Sequence, residues 1–246
     1  MYAGRIRLTV RYDGTAFAGS QIQPGKRTVA GTLTAGLESL LKQDLHLLFA
    51  GRTDSGVHAE GNVCACDAKL AFPVEKLAEL LNSRLPDDLR VRETCPAPSS
   101  FHPRFDARAR VYEYTIYRGA DVRVDRMRYA AEYMGAWNEA AVRQALDAIS
   151  GRHAFHNFAE GSIKPQYAYC ILDQVALLEQ GPEVVLRFRA NRFLRQMLRR
   201  LVGALLLVAG GQINPQRFVA AIDGELDFQF KPAPPRGLVL LCVEYE

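Results

Sequence analysis

What most constrains this chain is the order in which the spacing of its apolar residues changes. "RIRLTVRY" (Arg5–Tyr12) alternates strictly, the period of a strand with one buried face. "VAGTLTAGLESLLK" (Val29–Lys42) instead places Val29, Leu33, Leu37, Leu40 and Leu41 at helical spacing. "LHLLFA" (Leu45–Ala50) predicts a buried strand, and "GVHAEGNVCACDA" (Gly56–Ala68) its alternating partner. "PVEKLAELLNSRLP" opens on Pro73 and stops at Pro86, which predicts a helix, and "DLRVRETC" (Asp88–Cys95) a further strand. The order is β-α-β-β-α-β, the split βαβ or ferredoxin-like plan that many RNA-binding modules share.

The stretch from Pro96 to Arg108, with "SSFHPRF", predicts a linker, after which a similar order begins again. "RVYEYTIYR" predicts a strand with Tyr112, Tyr114 and Ile116 on one face, and "RMRYAAEYM" (Arg126–Met134) an added strand. "NEAAVRQALDAIS" predicts a helix capped by Asn138 and stopped at Gly151. Strands over Ala168–Leu178 and Glu183–Ala190 follow, then a long helix over Asn191–Val208, a short one over Pro215–Ile222, and a last strand at "GLVLLCVEY". The expected fold class is α+β: two ferredoxin-like halves, residues 1–105 and 106–246, whose antiparallel sheets join and leave a central catalytic cleft.

Composition narrows the setting. At 48% apolar and 24% charged, the 246-residue chain has the make-up of a soluble globular protein. "MYAGRIRLTVRYDG" holds no apolar signal core, and the longest apolar run, Leu201–Gly211, is too short to span a bilayer. The expectation is a cytoplasmic protein with no membrane partner. Cys64, Cys66, Cys95, Cys170 and Cys242 lack metal-ligand spacing, and His102, His153 and His156 suggest neither a metal site nor a triad. No metal and no disulfide is expected in a reducing compartment. The net charge of +4 is carried mostly by arginine, whose fork binds phosphate at two oxygens, so nucleic acid is a fitting partner.

Two stretches carry candidate chemistry. "AGRTDSGVHAEG" (Ala50–Gly61) joins two predicted strands, and its Asp-Ser-Gly is ordinary turn composition. Local chemistry alone leaves Asp54 either a turn-former or a reacting carboxylate. In "NRFLRQMLRRLVGALLLV", helical spacing puts Phe193, Leu194, Met197, Leu198, Leu201 and Leu205 on one face, with Arg192, Arg195 and Arg199 opposite. Arginines clustered without an acid repel one another unless an anion is near, and RNA phosphates or a buried carboxylate would supply it.

"AGRTDSGVHA", "FHPRFDARARVYEYTIY", "ANRFLRQMLRRLVG" and "PPRGLVLLCVEY", with "YDGTAFAGSQIQ" in part, resemble the TruA family of tRNA pseudouridine synthases, in the family's order and over nearly the whole chain. The resemblance implies isomerisation of uridine to pseudouridine in the tRNA anticodon stem-loop by a homodimer, without a cofactor. That reaction breaks N1–C1′, turns the base over and joins C5 to C1′, so no atoms are gained. The target base must leave its stack and enter a pocket. The resemblance implies that Asp54 is the catalytic carboxylate, as nucleophile or as a base at the sugar, with Gly51 and Gly56 letting backbone approach RNA. It further implies that Arg52 holds the flipped-out nucleotide, Tyr112 sits against the base and helps remove the C5 proton, and Arg199 pairs with the carboxylate. Arg110, Arg192, Arg195 and Leu238 complete the expected substrate-binding set, Leu238 as an apolar pocket wall. His58, inside the motif, is expected to be structural or to meet the RNA backbone.

The chain departs from the family at Ser20 (usually tryptophan), Ala30 (glutamine), Ala154 (aspartate) and Tyr167 (arginine). None of these removes the implied catalytic set; those at Ser20 and Tyr167 bear on RNA docking or pocket support, and together they bear on the target uridine more than on the chemistry. The rival readings are a catalytically silent RNA-binding protein that keeps this fold and its arginines, a synthase of the same type acting on other tRNA or RNA sites, and a small-molecule enzyme using a carboxylate on nucleosides.

Overall fold

Strict alternation over residues 5–12 builds a long strand, β1 (Tyr2–Tyr12), which buries Ile6, Leu8, Val10 and Tyr12. The computed structural model describes residues 1–119, 122, 124–161, 163–222, 224 and 229–245. It divides into one unit of Met1–Arg108 with the tail from Val239, and a second of Ala109–Leu238. The tail therefore groups with the first unit, where the sequence reading has it in the second.

In the first unit β1 is followed by α1 (Val29–Leu41), β2 (Leu48–Phe49), β3 (His58–Leu70), α2 (Leu77–Asn82) and β4 (Leu89–Pro96). Thr28 caps α1 by accepting the Gly31 N–H, and Val29, Leu33 and Leu37 turn inward with Leu77 and Leu81 of α2. The strands lie in the order β4-β1-β3. The other edge of β3 is shared: β2 pairs antiparallel at Cys64 and Ala65, and β10 (Leu238–Glu244) pairs parallel at His58 and Ala59. A two-residue β2 leaves the start of β3 to the tail strand.

The second unit contains β5 (Ala109–Arg118), β6 (Ala131–Tyr133), α3 (Glu139–Ala148), β7 (Gly151–Ala154), β8 (Tyr169–Gln180), β9 (Glu183–Ala190), α4 (Met197–Ala209) and α5 (Pro215–Ile222). Its sheet runs β5-β9-β8-β7, with β6 parallel alongside β5. Asn138 caps α3 by accepting the Ala141 N–H. Buried Phe158 stacks on Phe230 at 5.0 Å and meets Phe155 and Phe218 edge-on, an aromatic core on which single substitutions weigh heavily.

The fold is α+β, and it departs from the sequence reading in several places. Each unit carries one parallel pair, so neither sheet is purely antiparallel. The buried strand expected over Leu45–Ala50 is reduced to Leu48–Phe49, because Gln43 takes the ladder's place. Its side-chain carbonyl accepts the Lys69 N–H (2.9 Å) and its amide donates to the Lys69 carbonyl (2.8 Å). The helix expected from Pro73 begins as a 3-10 turn, Val74–Lys76, before α2. The added strand over Arg126–Met134 is only Ala131–Tyr133, and β7 lies outside the expected strands. The expected linker is bound to its unit: Arg5 Nη1 donates to the Phe101 carbonyl, and the Tyr245 hydroxyl to the Pro103 carbonyl. Among the described residues no helix is long and apolar enough to cross a membrane.

Leu8 is fully buried at the centre of β1. Leu8→Ala is expected to cost about 2–5 kcal/mol in denaturant unfolding, whereas Ile22→Ala, at an exposed position, should stay within about 0.5 kcal/mol. Equal effects would contradict this core.

Candidate functional site

The turn carrying Asp54 is bracketed by the segment after β1. Asp54 is half-buried, and its carbonyl accepts the Val57 N–H at 3.2 Å to close the turn. Gly56 supports this closure at φ 78°, a conformation that glycine adopts without the Cβ penalty. The Gly56 N–H and the Ser55 hydroxyl both donate to the Phe17 carbonyl, at 3.3 and 3.2 Å.

On the other side of Asp54, Thr53 is buried and held at three points. Ser20 donates its N–H to the Thr53 carbonyl (3.1 Å), and its Oγ accepts the Thr53 N–H (2.8 Å). The Thr53 hydroxyl lies 2.9 Å from the Tyr12 hydroxyl. Asn62 Nδ2 donates to that phenol oxygen at 3.1 Å and to the Gly51 carbonyl at 3.3 Å. Gly19 is required by proximity: at φ 91°, a Cβ there would stand 2.8 Å from the Thr53 carbonyl oxygen. Burial pushes the Tyr12 phenol up to about 12, against the opposing pull of its bonds to Thr53 and Asn62.

With Thr53 turned inward, Arg52 is exposed and takes no hydrogen-bond or ion-pair partner among the described residues. Gly51 has open space where a Cβ would stand. His58 is structural in this unit: it is buried, and its Nδ1 accepts the Gly14 N–H at 3.1 Å with Asp13 Oδ1 3.2 Å away.

The second unit gathers a different part of the predicted set. Tyr112 on β5 is 8% exposed, and its ring meets Phe193 edge-on at 5.2 Å. Arg110, two residues earlier on β5, is buried and donates to the Asn191 carbonyl at 2.8 Å. Asn191 in turn accepts the Ile171 N–H on its side chain. Strand β5 and the loop after β9 thus form one cluster around Tyr112.

That loop corrects the sequence reading. The helix predicted from Asn191 begins at Met197, because Gln196 adopts a left-handed conformation at φ 59° and the preceding residues are tied to β5 and β8. Arg192 and Arg195 therefore lie in the loop, and only Arg199 of the three is on α4. The apolar spacing of Phe193 and Leu194 continues that of the helix, so periodicity ran through the break. Arg195 forms an ion pair with Glu160, an acid distant in sequence. Arg199 donates its Nε–H to the Ala233 carbonyl at 2.9 Å and accepts the Ala233 N–H at 2.8 Å on its own carbonyl. Leu238 is buried at the first position of β10.

Sequence reasoning did not single out Tyr12, Thr53 or Asn62, and it noted Ser20 only as a departure from the family. Tyr12 and Asn62 meet through the β1–β3 register, in which Tyr12 opposes Ala59 and Val10 opposes Asn62 across a bulge, and Ser20 and Thr53 meet between two segments outside the strands. The one available signal was Asn62 standing in a strand otherwise rich in small and apolar residues. No three His, Cys, Asp or Glu side chains are grouped to hold a metal ion among the described residues.

The family described as tRNA pseudouridine synthase matches residues 8–106 and 145–246. The tRNA pseudouridine synthase A of Pseudothermotoga lettingae is 35% identical over 98% of this chain and 99% of its own length. That of Halalkalibacterium halodurans is 36% identical over 96% of this chain and 90% of its own length. That of Geobacillus kaustophilus is 35% identical over 98% and 95%.

The buried Tyr12 phenol gives the turn a pH signature. An unfolded chain ionises this group near its ordinary 10.0, the folded one only near 12. Its stabilising contribution is complete below pH 10 and is lost as pH rises toward 12, by up to about 1.4 kcal/mol per pH unit. Tyr12→Phe should lessen the alkaline slope of unfolding free energy. An unchanged slope would contradict the buried phenol.

Proposed function

This chain belongs to the tRNA pseudouridine synthase family and is thus an isomerase, and on that premise we propose that it converts uridine to pseudouridine in the anticodon stem-loop of tRNA. The observation that carries the reading is Asp54: a half-buried carboxylate on a turn pinned on both sides, within a stretch the family match spans. A group held this way is already positioned when its substrate arrives.

The proposed division of labour follows the chemistry. Asp54 acts at C1′ as the N1–C1′ bond breaks. The base turns over, C5 bonds to C1′, the C5 proton leaves and N1 takes up a proton. Tyr112, in its close-packed niche against Phe193, stands against the base and assists departure of the C5 proton. Arg199 is assigned, from the resemblance, as the cation that offsets the cost of desolvating the Asp54 carboxylate. Arg52, which is exposed, holds the nucleotide after it leaves the stack. Arg192 is exposed and suited to phosphate. Arg195 approaches RNA with its charge already shared with Glu160. Arg110 contributes to substrate binding by fixing the Asn191 carbonyl, and Leu238 supplies an apolar wall. The proposed setting is a cytoplasmic homodimer that needs no cofactor.

Pseudouridine mapping on unmodified tRNA tests this function. Product in the anticodon stem-loop is expected; product elsewhere would overturn the site, and binding without product would leave a silent RNA-binding protein. Binding should weaken steeply with salt through counterion release, and a salt-independent affinity would instead fit a small-molecule enzyme. Arg199→Ala should lower single-turnover rate by roughly 100-fold with tRNA affinity nearly unchanged. An equal loss in both would place Arg199 among the phosphate contacts.

A further inference from the structure

We propose that Ser20, Thr53, Tyr12 and Asn62 are positioning residues that fix the Asp54 turn for reaction, an inference that rests on Asp54 being the reacting carboxylate. Ser20 holds both backbone groups of Thr53, one through its own N–H and one through its Oγ. Two bonds to one residue fix the peptide planes on either side of it, and the second of those planes leads directly into Asp54. The Thr53 hydroxyl locks its own rotamer against Tyr12, and Asn62 joins Tyr12 to the Gly51 carbonyl. Beyond Asp54, Ser55 and Gly56 bind the Phe17 carbonyl. Residues 17–20 thus grip the turn from both flanks.

The composition of the grip argues for positioning. Ser20, Thr53, Tyr12 and Asn62 are all buried. Burying that many polar side chains is costly unless each finds its partner, and apolar packing of the same volume would stabilise at least as well. What a fully bonded polar chain adds is a single geometry, because directional bonds are lost by small shifts that apolar contacts tolerate. A reacting group displaced by about 1 Å loses on the order of 100-fold in rate.

The test uses near-isosteric variants of the full chain on unmodified tRNA under single turnover. Ser20→Ala, Thr53→Val and Tyr12→Phe are each expected to slow pseudouridine formation roughly tenfold, the scale of one lost buried hydrogen bond or somewhat more, with tRNA affinity within about twofold. Thr53→Ser, which keeps the hydroxyl, should restore most of the rate. Wild-type rates in the three variants, a parallel loss of affinity, or a Thr53→Ser as slow as Thr53→Val would overturn the inference. Amide hydrogen exchange supplies a readout independent of activity: Ser20→Ala should speed exchange over residues 51–57 while β1 stays protected. Unchanged exchange there would overturn the grip itself, even if the wild-type protein made no pseudouridine. Absence of wild-type product would instead overturn the assignment of Asp54 on which the inference rests.

Discussion

The Thr53 peptide is buried, and a buried peptide must find partners for its N–H and its carbonyl. Much of the first unit's local order follows from how that is done. Thr53 is not in a strand, so no ladder serves it; Ser20 supplies both partners. Ser20 can reach only because Gly19 has no Cβ to strike the Thr53 carbonyl. Tyr12 can reach the Thr53 hydroxyl only because the β1–β3 register brings the end of β1 beside Asn62. The turn between β2 and β3 is therefore bonded on both flanks of Asp54.

Much of this architecture was legible in the sequence. Alternation in β1, helical spacing in α1 and the Asn138 cap of α3 each reflect a local physical preference that tertiary contacts did not override. The failures have local causes too. Leu45–Ala50 carries the apolar run of a strand, but the Gln43 side chain occupies the ladder first. Asn191–Gln196 has the spacing of a helix, but its backbone is committed to β5 and β8 through Arg110, Asn191 and Ile171. Both are bonds between residues far apart in sequence, which periodicity does not register.

The candidate site divides along the same line. Asp54 and Arg52 are visible as a motif, yet the motif reads equally as a turn, and resemblance rather than spacing singles out the carboxylate. The group proposed to hold Asp54 in place was not legible as a group, because a serine, a threonine, a tyrosine and an asparagine from separate segments become one bonded chain only when folded. Ser20 is instructive here: it entered as a departure from the family's usual tryptophan, and it turns out to clasp the residue next to the proposed catalyst.

The proposed function stands or falls with the Asp54 carboxylate carrying out the reaction. Conversion to pseudouridine must release the hydrogen at C5, so tRNA labelled with tritium at uridine C5 reports the chemistry directly. Wild-type protein is predicted to release tritium to water in step with conversion, and Asp54→Asn to release none above background while binding tRNA as tightly. Undiminished release from Asp54→Asn would contradict the account.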